Sequence, residues 1–163
     1  MDDAQRLALI TETVRYCQRV IPLGMPSSCY SKALREPIHF LWERRKNRQK
    51  IQVPKFRSKS AVGLSFGKRE VIYDHAVPFC CLQEELLQLS PVTPEAVFEI
   101  LGKYETIVLI TPEDERRLRR LDLSSKMPKG WDGKDALARY KAAEIEVVDN
   151  DLHIAYDSSS TQS

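Results

Sequence analysis

Near the middle of the chain, Thr106-Ile107-Val108-Leu109-Ile110 is a nearly unbroken apolar, mostly β-branched run. Such a run predicts a strand buried on both faces, which obliges other elements to cover it from two sides. It is followed without a spacer by Thr111-Pro112-Glu113-Asp114-Glu115. Threonine at the N-cap, proline at the first helical position and acids in the first turn satisfy the start of a helix and its dipole. Arg116, Arg117, Arg119 and Arg120 complete that helix, with Leu118 and Leu121 as its buried edge. A buried strand leading straight into a capped helix excludes all-α and all-β folds.

The flanking segments place this junction in a helix-rich α+β chain. Leu7, Ile10, Val14 and Cys17 recur at three- and four-residue spacing and predict an amphipathic helix from Asp2 to about Val20, capped by Asp2 or Asp3. Pro22, Gly24 and Pro26 break it. A second helix is predicted from about Ser31, with Leu34, Ile38 and Leu41 or Trp42 inward and a kink at Pro37. A short helical stretch is expected at Ser58–Phe66. A strand is expected at Glu70–His75, then helices at Phe79–Leu89 and, capped by Thr93, from Pro94. A short helix at Ala136–Ala143 precedes an expected hairpin, Glu144–Val148 with Leu152–Tyr156. The reading is one domain over residues 1–157: a helical part at 1–50, a core at 70–121 and a small mixed or antiparallel sheet. Residues 158–163 form a polar tail.

The chain has 163 residues, 42% of them hydrophobic, enough for a core at the size of one ordinary domain. No run of about 18 apolar residues occurs, so no membrane helix is expected. Met1-Asp2-Asp3 carries acid where a secretory signal carries base. Cys17, Cys29, Cys80 and Cys81 lack C-x-x-C spacing, so reduced thiols and a cytoplasmic location are expected.

Charge is segregated. From residue 44 to 69 there are ten cations, Arg44, Arg45, Lys46, Arg48, Lys50, Lys55, Arg57, Lys59, Lys68 and Arg69, and no acid. The remainder carries 15 basic against 23 acidic residues. A local positive field on an acidic body attracts a polyanion, DNA more than RNA, by neutralising phosphates and releasing counterions. Arg44, Arg45, Arg48, Lys50, Lys55, Arg57 and Lys59 are the candidate phosphate contacts. The competing account is a solvated helix end, since cations suit a helix C-terminus. That account does not reach Lys55, Arg57 and Lys59, which lie beyond Pro54.

Of three histidines, His39 and His153 sit between apolar neighbours and are expected to pack or lie at the surface. His75 ends a predicted strand directly after Asp74 and is followed by Ala76-Val77-Pro78. This Tyr-Asp-His-Ala-Val-Pro segment, together with the strand Thr106–Ile110 running into an acidic helix, resembles the HNH, or ββα-metal, nucleases. The resemblance implies that Asp74 and Glu115 hold one Mg²⁺ or Mn²⁺ and that His75 deprotonates a water attacking a phosphodiester. The family closes its site with histidine or asparagine, where this chain offers the carboxylates of Glu115, Asp114 or Glu113. No Asn or His lies between His75 and Asn150.

Without catalysis, Asp74 and His75 form a structural pair at a turn, and the acids of the helix pair with its arginines, Glu113 with Arg117 and Glu115 with Arg119. The chain is then a DNA-associated regulator, or a protein-interaction partner of the immunity or accessory kind. Trp131, flanked by Gly130 and Gly133, is expected to plug the body rather than serve as a base platform. No phosphate loop is present.

Overall fold

The computed structural model describes residues 1–44, 49–66 and 69–153. It is α+β and helix-rich, with six α-helices and a four-stranded mixed sheet among the described residues. Two compact units share the chain: Met1–Asn47 with Phe79–Lys103, and Arg48–Pro78 with Tyr104–Ser163. None of the described helices is long and apolar enough to cross a membrane.

The first unit is helical. α1 (Asp3–Val20) opens with a capping box: the Gln5 amide donates to Asp2 Oδ1 at 2.8 Å and the Asp2 amide to Gln5 Oε1 at 3.1 Å. Two orphan donors of the first turn are thereby satisfied. Ile10, Val14 and Cys17 are fully buried, which is the face the spacing predicts. α2 (Ser27–Pro37) begins earlier than expected because Pro26, held extended, serves as its N-cap. It continues into a π-helical turn, Ile38–Glu43. Pro37 has no amide hydrogen to give, and the ladder changes register beyond it instead of breaking.

α3 (Phe79–Gln88) buries Leu82 and Leu86, and α4 (Pro94–Tyr104) buries Val97 and Leu101. Thr93 caps α4, accepting from the Ala96 amide at 3.2 Å. Gln18 of α1 donates through Nε2 to the carbonyls of Leu87 and Leu89, both at 2.9 Å. Arg15 donates to the Val92 carbonyl through Nε and Nη2. These long side chains supply partners to carbonyls at the end of α3 and in the turn beyond it.

The second unit holds the sheet: β1 (Phe56–Ser58), β2 (Ile72–His75), β3 (Ile107–Ile110) and β4 (Val147–Asp149), in spatial order β2-β3-β1-β4. β1 is parallel to β3, and β4 is antiparallel to β1. β2 is antiparallel to β3, setting Asp74 opposite Val108 and His75 opposite Ile107. All four residues of β3 are buried, as its composition demands.

One face of the sheet, with Phe56, Ile72, Val108, Ile110 and Val147, packs against Leu118, Tyr140, Ala143 and Ile145. Leu118 belongs to α5 (Pro112–Arg120) and Tyr140 to α6 (Ala138–Ala142). On the other face Leu109 packs with Ala61, Val71, Ile51, Leu64 and Phe66. Side chains alternate along a strand, so Tyr73 and His75 stand on this second face while Ile72 and Asp74 stand on the first.

Two sequence expectations are corrected in this unit. The stretch expected as a short helix at Ser58–Phe66 instead opens with the end of β1 and a 3₁₀ turn, Lys59–Ala61. The C-terminal hairpin is not formed as expected. β4 pairs with β1, and Asp151–His153 turn helically, so Leu152 and His153 are not in a strand. Ile154–Tyr156 and the tail lie outside the described residues.

Asn150 turns the chain there. Fully buried, it accepts from Arg57 Nε and Nη2 at 3.1 and 2.7 Å and donates to the carbonyls of Ile51 and Pro54 at 3.1 and 2.7 Å. A side chain spending all its hydrogen-bond capacity on neighbouring backbone and an arginine replaces the expected strand partner.

Candidate nucleic-acid interface

The end of β2 is organised by an arginine that sequence reading passes over. Arg139, on α6, is 1% exposed. All five of its N–H groups point at oxygen. Nε donates to the Ala76 carbonyl at 2.9 Å, and Nη1 to the carbonyls of Leu123 and Ser124 at 2.6 and 3.2 Å. Nη2 donates to Asp74 Oδ2 and to the His75 carbonyl, both at 2.6 Å. The adjacent Tyr140 hydroxyl donates to the same Asp74 oxygen at 2.6 Å. Burial first, and then the charge of Asp74, hold the Tyr140 phenol well above its usual range, so it remains a donor. A lone cation in the apolar stretch Ala136-Leu137-Ala138-Arg139-Tyr140 was the available signal, because an arginine among buried residues needs a carboxylate.

Each of the acids proposed for a metal has another partner. Asp74 is committed to Arg139 and Tyr140, and Glu115 pairs with Arg119 across one helical turn. Asp74 stands opposite Val108, early in β3, whereas α5 departs from the far end of that strand. β2, β3 and α5 do follow one another in β-β-α order, separated by α3 and α4, with Leu118 packed beside Val108 and Ile110.

The arrangement as it stands does not fit a divalent cation. A guanidinium rests on the first carboxylate, and no group of three or more His, Cys, Asp or Glu is placed to hold a metal among the described residues. Asp114, next to Glu115, is likewise spoken for. Its Oδ2 accepts from Ser58 Oγ at 2.7 Å, Ser60 Oγ at 2.8 Å, and the Thr111 hydroxyl and amide at 2.8 and 2.9 Å. Burial raises its pKa, but the hydrogen bonds from Ser58, Thr111 and Ser60 outweigh it and the carboxyl sits below its ordinary value.

His75 is half-buried on the second face, its ring 5.9 Å from that of Tyr73 in edge-on contact. His39 meets buried Glu43 at 2.6 Å. Trp131 packs 5.8 Å from Tyr104 and donates to the Asp135 carbonyl at 2.8 Å, the plug its setting suggests.

The cations of the basic stretch separate into distinct environments. Arg57 turns inward to Asn150 and the Ala61 carbonyl; its burial, partly offset by the charge of Asp151, lowers its pKa. It therefore cannot reach a phosphate without dismantling that knot. Lys59 is exposed but bidentate to Glu146, at 3.0 and 2.8 Å. Arg44 lies 5.8 Å from the Phe40 ring. Arg45 and Arg48 lie outside the described residues.

Lys50 and Lys55 are exposed and each covers aromatic surface. The Lys50 ammonium sits 5.3 Å from the Phe66 ring and 5.4 Å from that of Tyr73; Lys55 sits 5.3 Å from Phe56. On α5 the expected i,i+4 pair Glu115–Arg119 forms, while Glu113 takes Arg116 and Arg120 rather than Arg117. Arg117 instead donates to the carbonyls of Ala143 and Glu144. The helix pairs three of its four arginines with its own acids.

Comparisons with protein-family models, with curated proteins and with solved structures find no match to this chain.

Proposed function

We propose that this chain binds nucleic acid through its basic stretch, with Lys50 and Lys55 as phosphate contacts, and that Asp74 serves the fold. The observation that carries this reading is the setting of Lys50: an exposed ammonium on two half-buried rings, in a segment of ten cations and no acid. A cation held on aromatic faces keeps its charge toward solvent while its stem covers apolar surface. A polyanion neutralised there releases counterions, which makes affinity fall with salt.

The test is fluorescence anisotropy of a labelled oligonucleotide across a salt series. Binding that weakens linearly in log–log form, and weakens further on Lys50→Glu and Lys55→Glu, supports the reading. Absence of binding at about 50 mM salt, where nonspecific contacts are strongest, overturns it in favour of an acidic protein partner. Plasmid incubated with Mg²⁺, Mn²⁺ or EDTA separates binding from cleavage. This reading expects a shifted, intact plasmid in all three.

A further inference from the structure

Resting on the nucleic-acid reading above, we infer that the preferred ligand is a single strand, gripped by stacking of an unpaired base against the Phe66–Tyr73 aromatic surface beside Lys50. Two observations converge on this choice. The sheet face bearing Tyr73 and His75 carries two half-buried rings in edge-on contact, with Phe66 packed on the same side. Lys50 lies over two of these rings; exposed and unbranched, it swings its ammonium to a phosphate as a base takes its place on them. Single-strand binding combines these two elements, a cation for the backbone and an aromatic plane for the base.

The duplex alternative needs a projecting helix or ribbon with uncommitted side chains for base edges. The arginine-rich helix α5 does not supply it. Arg116 and Arg120 are paired to Glu113, Arg119 to Glu115, and Arg117 to backbone carbonyls of residues 143 and 144. Arg57, on β1, is buried against Asn150.

The experiment compares the wild-type chain on three ligands of equal phosphate number: an oligothymidylate, its abasic counterpart and a duplex. Single strand is expected to bind roughly tenfold tighter than its abasic counterpart, the effect of stacking one base. The salt slope should be the same for both, because the phosphate contacts are unchanged. Tyr73→Leu should lose most of that advantage and Tyr73→Phe should keep it, with circular dichroism verifying that each is folded. Equal affinity for the intact and abasic strands, or tighter binding to the duplex, overturns this inference and leaves the parent reading standing. Binding to none of the three overturns both.

Discussion

The Arg139 guanidinium and the Asp74 carboxylate meet at 2.6 Å, the arginine 1% and the aspartate 23% exposed. The pair ties α6 to the end of β2, and through the carbonyls of His75, Ala76, Leu123 and Ser124 the same guanidinium fixes two separate stretches of chain against α6. It also determines what Asp74 can do. A carboxylate already neutralised by a buried cation offers little to a metal and much to the fold.

Removing one member of this pair should therefore destabilise the protein strongly. Arg139→Met leaves four carbonyls without this donor and Asp74 with the Tyr140 hydroxyl but no cation, and the expected loss is about 3 kcal/mol, the low end for breaking a buried pair because Asp74 is partly solvated. Tyr140→Phe, which deletes one hydrogen bond to the same oxygen, should cost about 1.5 kcal/mol. Urea unfolding of Asp74→Ala, Arg139→Met and the two combined should give non-additive losses. Additive effects would show that the two side chains do not act on one another.

Asp114 makes stability depend on acid. Its folded-state pKa is depressed, so its contribution is fully present above the unfolded value and disappears as pH falls through the folded one. Asp114→Asn puts an amide donor among four donors, three hydroxyls and a backbone amide, and should cost about 2 kcal/mol at neutral pH. As pH falls from about 4, the unfolded value, through the lower folded one, the gap between the two should narrow and then close. Urea titrations at neutral and acid pH measure it. A gap that stays constant would mean that the charge of Asp114 contributes nothing.

Much of this architecture is legible in the sequence because it rests on local chemistry. Thr111-Pro112 and Thr93-Pro94 start helices where they stand, and the apolar run at Ile107–Ile110 is buried throughout. What escapes is long-range pairing. β1 is three residues long and reads as basic loop, because its partners lie 52 and about 90 residues further on. Arg57 reads as a phosphate contact for the same reason: its partner Asn150 is 93 residues away. Asp74 and Arg139 are 65 apart, so the segment resembling a nuclease motif is visible while the residue that occupies its carboxylate is not.

Divalent cations should leave the folded protein unmoved. If Asp74 and Glu115 keep their arginine partners, thermal unfolding midpoints in Mg²⁺, Mn²⁺ or EDTA should coincide, since a ligand stabilises only what it binds. A midpoint that rises with either metal and falls again on Asp74→Asn would show that the acids leave their arginines to coordinate it. The nuclease resemblance would then regain a physical basis.

The two arginine-bearing regions should behave in opposite ways. Arg116, Arg119 and Arg120 are exposed, but each is paired to a glutamate on its own helix. Exposed pairs of this kind contribute little to a helix. Arg116→Gln with Arg119→Gln should therefore change stability little and leave the oligonucleotide salt slope as it was. Arg57→Gln should do the reverse to the fold, because it strips Asn150 and the Ala61 carbonyl of buried donors. A loss of about 2–3 kcal/mol is expected. Lys50→Gln, with its ammonium exposed on two rings, should lower the single-strand slope by about 0.7, one phosphate contact's worth. Should the α5 variants lower that slope and Lys50→Gln leave it intact, the interface lies on the helix and not on the sheet face.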